Sequence, residues 1–235
     1  MEEKMELKFE YESINLSAWL NNSDITIIIA PGVPQYLTKY HPFVQAMLLR
    51  NVNLFIPRYL GSFESEGLFT LQNCVDTLNK TIRFVKEGNG VELFNDEKII
   101  WSSNKIILVG FSFGALPSLL TTENVDQIIL VAPFTNLEVH QKYNGEDLLR
   151  TFSFVKKAYH YHLNPESLLK ECALSNYPKQ RKNISLVYGK KDNSIPKEEL
   201  DWVHESYKID SYIKVEGGHS LEILIPVFDS IIKNE

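Results

Sequence analysis

The chain has 235 residues, of which 44% are hydrophobic and 23% are charged, and its formal net charge is −6. This composition excludes an intrinsically disordered chain and a collagen-like repeat, and a chain of this length buries a sizeable core without disulfides. The absence of a basic stripe argues against a nucleic-acid or anionic-membrane partner. Residues 1–6 are charged and lack an apolar segment, so we expect no secretory signal and a cytoplasmic protein with reduced cysteines.

Short apolar segments alternate with longer amphipathic ones along the whole chain. Strands are predicted at residues 7–9, 14–20, 25–30, 52–56, 106–109, 127–131, 186–188 and 212–215. Helices are predicted at residues 38–49, 71–85, 115–120, 196–207 and 221–232, and a polar loop at 86–104. The β-branched run Ile25–Ala30 is too short for a helix and favours a strand buried on both faces. The alternation predicts βαβ crossovers and a helix-covered parallel sheet.

Residues 135–183 interrupt this alternation without a clear core strand. We expect one domain over residues 1–235, with residues 135–183 an insertion over one end of the sheet. The insertion is rich in aromatic residues, which would form either a lid over an apolar acyl group or ordinary core: Tyr143, Phe152, Phe154, Tyr159 and Tyr161. Cys74 falls on the apolar stripe of the helix at 71–85 and is predicted to be a packing residue.

Glycine is scarce, at 11 residues of 235, which is below the usual proportion of about 7%. Six glycines lie just past predicted strands, and we expect them along one edge of one sheet: Gly32, Gly110, Gly114, Gly189, Gly217 and Gly218. Gly110-Phe-Ser-Phe-Gly114 matches the pattern G-x-S-x-G between a predicted strand and a predicted helix. That context is the one a nucleophile elbow requires, and it makes Ser112 a candidate nucleophile.

A serine nucleophile needs a base, and the base needs an orienting carboxylate. His219 is the favoured base, because it follows the last predicted strand on a glycine-rich loop. Asp192 follows the strand at 186–188 and is favoured by position over Asp201 and Glu216. The carboxyl ends of parallel strands meet at one edge of a sheet, so these loops would bring Asp192 and His219 to Ser112.

Other residues near this edge carry weaker signals. The segment 57–62 follows a strand on the same side and would be either a pocket wall or a structural loop. His160 and His162 have no cysteine or carboxylate at ligand spacing, so no metal site is predicted.

The sequence resembles the α/β-hydrolases over residues 25–232, on the motifs at 110–114, 188–192 and 217–220. The resemblance implies a mostly parallel central sheet with helices on both faces and a small helical cap. It implies that Ser112 is the nucleophile, His219 the general base and then acid, and Asp192 the orienting carboxylate. No metal or organic cofactor is implied, since serine and histidine supply the chemistry.

The family also implies an oxyanion hole made by two backbone N–H groups. The first is expected from Phe113, directly after the nucleophile. The second is expected from the loop after Ile25–Ala30, where Ala-Pro-Gly-Val replaces the family's frequent His-Gly and where Val33 is the predicted donor. The absence of a His-Gly-Gly-Gly run argues against the lipases and esterases that carry it.

The sequence thus predicts a serine hydrolase that cleaves a small carboxylic ester through an acyl-enzyme intermediate. The alternatives are a peptidase or thioesterase of the same fold, or a catalytically idle domain that binds a small molecule or a protein. The expected partner is a small-molecule ester or a related acyl substrate.

Overall fold

The centre of the molecule is an eight-stranded sheet, seen in a computed structural model that describes residues 5–136, 158–160, 183–207 and 209–233. Its strands are β1 (Leu7–Tyr11), β2 (Ile14–Trp19), β3 (Ile25–Ala30), β4 (Asn53–Pro57), β7 (Lys105–Phe111), β8 (Gln127–Val131), β9 (Ile184–Gly189) and β10 (Ser211–Val215). Two further strands, β5 (Asn89–Val91) and β6 (Lys98–Ile100), form a separate hairpin.

The spatial order of the main sheet is β1–β2–β4–β3–β7–β8–β9–β10. The pairs β1–β2 and β2–β4 are antiparallel. Every other neighbouring pair in the sheet is parallel. The prediction of a mostly parallel sheet is therefore confirmed.

The helices are α1 (Pro42–Leu48), α2 (Leu71–Glu87), α3 (Ala115–Leu120), α4 (Lys197–Tyr207) and α5 (Phe228–Lys233). From β3 the chain first steps to β4 on one side, and then moves through β7, β8, β9 and β10 on the other. Because parallel crossovers are almost always right-handed, this reversal places α1 on one face and α2, α3 and α4 on the opposite face. Accordingly, α2 contacts α3, whereas α1 contacts the 3-10 turn Leu221–Leu224.

The reversal also fixes where a ligand can bind. In open α/β sheets, ligands occupy the crevice beyond the carboxyl ends of two neighbouring strands whose connections leave in opposite directions. Here those strands are β3 and β7, which pair in parallel from Ile25↔Lys105 to Ala30↔Gly110. Both are almost fully buried, so they give this crevice a rigid floor.

The predicted polar loop at 86–104 is wrong, since it contains the hairpin of β5 and β6. Helix α2 ends at Glu87, and Gly88 caps it with a φ of 69°. After the hairpin, Trp101 returns to the core and donates from Nε1 to the carbonyl oxygen of Val85 at 3.0 Å. This buried indole holds the hairpin against the helix.

Two predicted helices differ from those in the structure, and proline is the reason in both. The first begins at Pro42 and not at residue 38, because proline suits the first helical position and disfavours helical backbone at the residue before it. The predicted helix at 221–232 is divided into the 3-10 turn Leu221–Leu224 and α5. Pro226 lies between them and cannot donate a helical hydrogen bond.

Most of the predicted insertion at 135–183 lies outside the described residues, as do Cys172 and the aromatic residues Tyr143, Phe152, Phe154 and Tyr161. Tyr159 is described and is 2% exposed. Its ring packs edge-on against Phe63 and Phe69, which makes it a core residue. Cys74 is buried in the core, as predicted for a packing residue. No helix in the described ranges is long and apolar enough to cross a membrane.

Candidate active site

Ser112 lies at a sharp turn between β7 and α3. It opens the 3-10 turn Ser112–Gly114 and has a φ of 51°, in the left-handed region that L-residues seldom adopt. The predicted strand, turn and helix are therefore confirmed around this serine. The turn lifts the serine above the carboxyl end of the central strand, as a nucleophile elbow does.

The glycines around this turn are required by close approach of backbone to backbone. A Cβ atom at Gly114 would overlap the carbonyl group of Ala30, and one at Gly110 would lie 2.8 Å from the carbonyl oxygen of Gly114. A Cβ atom at Gly32 would lie 3.2 Å from the Cβ atom of Ser112. The loop after β3 is thus pressed against the serine, as the predicted grouping of glycines requires.

The remaining glycines of the set lie together on the loops after β9 and β10. A Cβ atom at Gly189 would lie 2.5 Å from the carbonyl oxygen of Gly217 and 2.7 Å from that of Gly218. These two loops carry Asp192 and His219 respectively. The predicted set of six glycines therefore lies at one edge of the sheet, in two groups.

The His219 imidazole lies between the other two candidate side chains. Its Nδ1 atom is 3.0 Å from Asp192 Oδ2, and its Nε2 atom is 3.0 Å from Ser112 Oγ. An ionised carboxylate can only accept, so Nδ1 donates, and in the neutral imidazole Nε2 then accepts from the serine hydroxyl. One face of the imidazole packs against Phe111, with the ring centroids 5.2 Å apart.

Asp192 is buried, with its side chain 2% exposed. Burial opposes its ionisation, but the hydrogen bond and charge of His219 and two backbone N–H groups outweigh burial and hold the pKa of Asp192 below its ordinary value. The backbone groups are those of Ser194 and Ile195, at 2.7 and 3.1 Å from Asp192 Oδ1. One carboxylate oxygen therefore fixes the loop, and the other orients the histidine.

The two alternative carboxylates do not join this group. Glu216 forms an ion pair with Lys190 at the surface and is 69% exposed. Asp201 lies 3.7 Å from Lys197 on the exposed side of α4. The structure therefore brings together Ser112, Asp192 and His219 and leaves these two acids outside.

The loop after β3 is held by two side chains that the sequence analysis did not identify. Gln35 Oε1 accepts a hydrogen bond from the N–H of Gly32 at 3.1 Å. The Tyr59 hydroxyl donates to the carbonyl oxygen of Pro31 at 3.0 Å, and its buried ring packs edge-on against Phe113. Tyr59 belongs to the segment 57–62, which is thus a support for this loop.

The two expected oxyanion donors are Phe113, which follows Ser112 in the chain, and Val33, which follows Gly32 on the loop after β3. Phe113 is the second residue of its 3-10 turn, where an N–H group has no partner within the helix. Val33 directly follows Gly32, and within the described part of the chain its N–H makes no hydrogen bond. Because the N–H of Gly32 donates to Gln35, the next N–H group along this loop is that of Val33.

No group of three or more His, Cys, Asp or Glu side chains is placed to hold a metal ion within the described ranges. His160 contacts the rest of the chain through its backbone, donating to the carbonyl oxygen of Gly61 at 2.7 Å. His162 lies outside the described residues. The site therefore consists of serine, histidine, aspartate and backbone N–H groups.

No family model matches the sequence, and no curated protein matches it. Solved structures do resemble the fold. An esterase from Pyrococcus furiosus is 18% identical with a TM-score of 0.71, covering 98% of this chain and 90% of that one. The mouse alpha/beta hydrolase domain-containing protein 10 is 19% identical with a TM-score of 0.65, over 97% and 98% of the two chains.

A thioesterase domain from the curacin biosynthetic pathway is 13% identical to this chain, with a TM-score of 0.64. The likeness covers 99% of this chain and 100% of that domain. At these identities, the three structures show which fold the chain has and no more.

Replacing Gly114 with alanine tests the close approach behind Ser112. We expect Gly114→Ala to lower the free energy of unfolding by about 1–3 kcal/mol or more, since its Cβ atom would overlap the Ala30 carbonyl. Gly218→Ala is the matched control, because its Cβ atom would lie 3.6 Å from the carbonyl oxygen of Lys191, an ordinary contact. Urea denaturation measures both, and equal stabilities of the two variants would contradict the packing described.

The lowered pKa of Asp192 makes the stability of the folded chain depend on pH. Its pKa is lower in the folded chain than in the unfolded one, so its contribution is present above the unfolded value of about 4 and is lost as pH falls through the folded value. We expect the free energy of unfolding of the wild type to exceed that of Asp192→Asn by about 1–3 kcal/mol near neutral pH, and we expect this difference to shrink in acid.

Chemical denaturation across this pH range measures the excess stability. Asp201→Asn is the control, since its exposed ion pair contributes little at any pH. An excess that stayed constant down to the most acidic conditions would contradict the assigned environment of Asp192.

Proposed function

We propose that this chain, which has the α/β-hydrolase fold, is a serine hydrolase that cleaves a small carboxylic ester through an acyl-enzyme intermediate. The observation that carries the proposal is the continuous hydrogen-bonded arrangement of Asp192, His219 and Ser112, with both distances at 3.0 Å. These side chains come from three loops at the crevice where the fold binds ligands. Nucleophile, base and orienting carboxylate are the complete set that acyl transfer requires.

In the proposed first half-reaction, Ser112 Oγ attacks the carbonyl carbon of the ester, and His219 Nε2 takes the hydroxyl proton. The carbon–oxygen bond to the leaving alcohol then breaks, and His219 returns that proton to the leaving oxygen. The products of this step are a free alcohol and an acyl group on Ser112. In the second half-reaction, His219 takes a proton from a water molecule, which attacks the acyl carbon. The bond from that carbon to Ser112 Oγ then breaks, His219 returns the proton to Oγ, and the carboxylic acid is released.

Asp192 would act through His219 and not on the substrate. Its acceptor oxygen sets the tautomer in which Nδ1 carries the proton and Nε2 is free to take one. The lowered pKa of Asp192 keeps the carboxylate charged at neutral pH, where its charge stabilises the imidazolium that forms in each half-reaction. Both remaining contacts of Asp192 are with its own loop, so the carboxylate is fixed before substrate binds.

The N–H groups of Phe113 and Val33 would bind the oxyanion that forms on the carbonyl oxygen. Their expected contribution is large, since loss of one such donor lowers the rate by about 10²–10³ in a serine hydrolase. Gln35 and Tyr59 support this arrangement by fixing Gly32 and Pro31, the residues just before Val33. They are positioning residues in this proposal.

A thioesterase is the second candidate, because the curacin thioesterase domain shares the fold over its whole length. The same steps would release a thiol in place of an alcohol. The idle binding domain is disfavoured, since a domain without catalysis has no need of three side chains joined in this order.

Hydrolysis of short p-nitrophenyl esters and of the matching thioesters tests the proposal. We expect Ser112→Ala to reduce kcat by about 10⁴-fold or more, because the acyl-enzyme cannot form. Ser230→Ala is the control, since that exposed serine lies in α5, donates to the carbonyl oxygen of Val227 just before this helix, and should leave the rate unchanged. Unaltered hydrolysis in Ser112→Ala would contradict the mechanism, and a marked preference for thioesters would favour the second candidate.

A further inference from the structure

A second cavity, of about 200 Å³, opens beside the antiparallel strands β1 and β2. It is lined by Lys8 and Ser17 on those strands, by Arg58 after β4, and by Leu93 and Phe94 of the hairpin connection. None of its lining residues belongs to the candidate active site. We propose that this cavity binds a small carboxylate that carries a short apolar chain.

Arg58 is the reason for expecting an anion. Its side chain is only 4% exposed, although a guanidinium group is always charged and is seldom buried without a full set of partners. The ring of Tyr36 covers one face of the guanidinium, 4.0 Å from its central carbon. The ring therefore covers that face of the guanidinium of Arg58, which also lines the cavity.

Some N–H groups of the Arg58 guanidinium have no hydrogen-bond acceptor in the described part of the chain. Nη2 donates to the carbonyl oxygen of Leu37 at 3.1 Å and reaches Ser17 Oγ at 3.4 Å, a long contact. Nε is 3.7 Å from Glu64 Oε2, which is an ion pair but beyond hydrogen-bond distance. Within the described part of the chain, Nη1 makes no hydrogen bond. A ligand oxygen at Nη1 would complete the set.

Net charge does not attract an anion to the cavity, since the carboxylate of Glu64 lines it and that of Glu92 accepts from the backbone N–H groups of Lys8 and Phe94. Lys8 pairs with Glu6 at 2.6 Å, and Arg58 pairs loosely with Glu64. Lys8 also donates to Ser17 Oγ at 2.8 Å, next to Arg58. Binding therefore requires directed hydrogen bonds from the guanidinium, together with a favourable contribution to the binding free energy from apolar contacts. A carboxylate oxygen can accept from the N–H groups of Nη1, and a hydrogen bond between two charged groups is stronger than one between neutral groups.

The apolar residues that line the cavity, Leu16, Leu93 and Phe94, would supply these apolar contacts. Phe94 is 83% exposed and Leu93 is 45% exposed, although large apolar side chains this accessible are usually covered. Leu16, which is fully buried in the core, closes the inner side of the cavity. An apolar chain of a few carbons lying against these residues would cover them while its carboxylate faces Arg58. The cavity is smaller than the roughly 300–1,000 Å³ of sites for drug-sized ligands, which limits the chain to a short one.

Calorimetric titration of the whole chain with hexanoate, hexanol and inorganic phosphate tests the proposal. We expect hexanoate to bind measurably more tightly than hexanol, which lacks the charge, and than phosphate, which lacks the apolar chain. Arg58→Lys keeps the charge but loses the Nη1 donor, and we expect it to weaken hexanoate binding by about tenfold. Phe94→Asp places a negative charge at the exposed mouth and should weaken binding without disturbing the core.

Arg83→Met is the control, because Arg83 is a partly exposed arginine that pairs with Glu12 and Glu123 away from the cavity. Hexanoate binding that is unchanged in both Arg58→Lys and Phe94→Asp would place the ligand elsewhere and overturn the proposal. Equal affinity for phosphate and hexanoate would overturn the ligand class. None of these readouts depends on hydrolysis, so the proposal stands or falls separately from the proposed function.

Discussion

Two hydrogen bonds of 3.0 Å to the His219 imidazole join three loops of the sheet, and the proposed chemistry depends on both. In the sequence, His219 is 27 residues from Asp192 and 107 residues from Ser112. Only the parallel arrangement of β7, β9 and β10 brings these residues to the same edge. The rest of the structure can be understood as the scaffold that holds this edge still.

That scaffold combines a rigid floor with a strained turn. The left-handed backbone of Ser112 costs about 1–3 kcal/mol, and such strain persists only where the surroundings impose it. Here β7 on one side and α3 on the other fix the chain, and the loop after β3 closes against it through Gly32. Gln35 and Tyr59 then fix the loop itself, so the proposed oxyanion donors are positioned by contacts outside the reacting group.

Much of this arrangement could be predicted from the sequence, because the informative residues have strong local signals. The β-branched segment Ile25–Ala30 and the segment Gln127–Val131 have the same bounds in the structure as in the prediction. Ser112, Asp192 and His219 each follow a strand, and the order of strands in a parallel sheet made their meeting predictable. The placement of glycines was informative for the same reason, since close backbone approach leaves no room for a Cβ atom.

The features that the sequence did not reveal depend on contacts between distant segments. The role of Gln35 follows from the turn of the loop around its amide, and nothing in the local pattern indicates it. The guanidinium group of Arg58 is held by contacts with Leu37, Ser17 and Glu64, which come from three different segments. The division of the last helix at Pro226, by contrast, has a local cause, since proline cannot donate a helical hydrogen bond.

Covalent labelling is the direct test of the claim that Ser112 is a nucleophile activated by His219. Treatment with a fluorophosphonate followed by peptide mass spectrometry should give one adduct, on the peptide that contains Ser112. The same adduct should form far more slowly in His219→Ala, because the serine then lacks its base. A folded protein that gains no adduct on Ser112, or that gains it at an equal rate in His219→Ala, would contradict the claim.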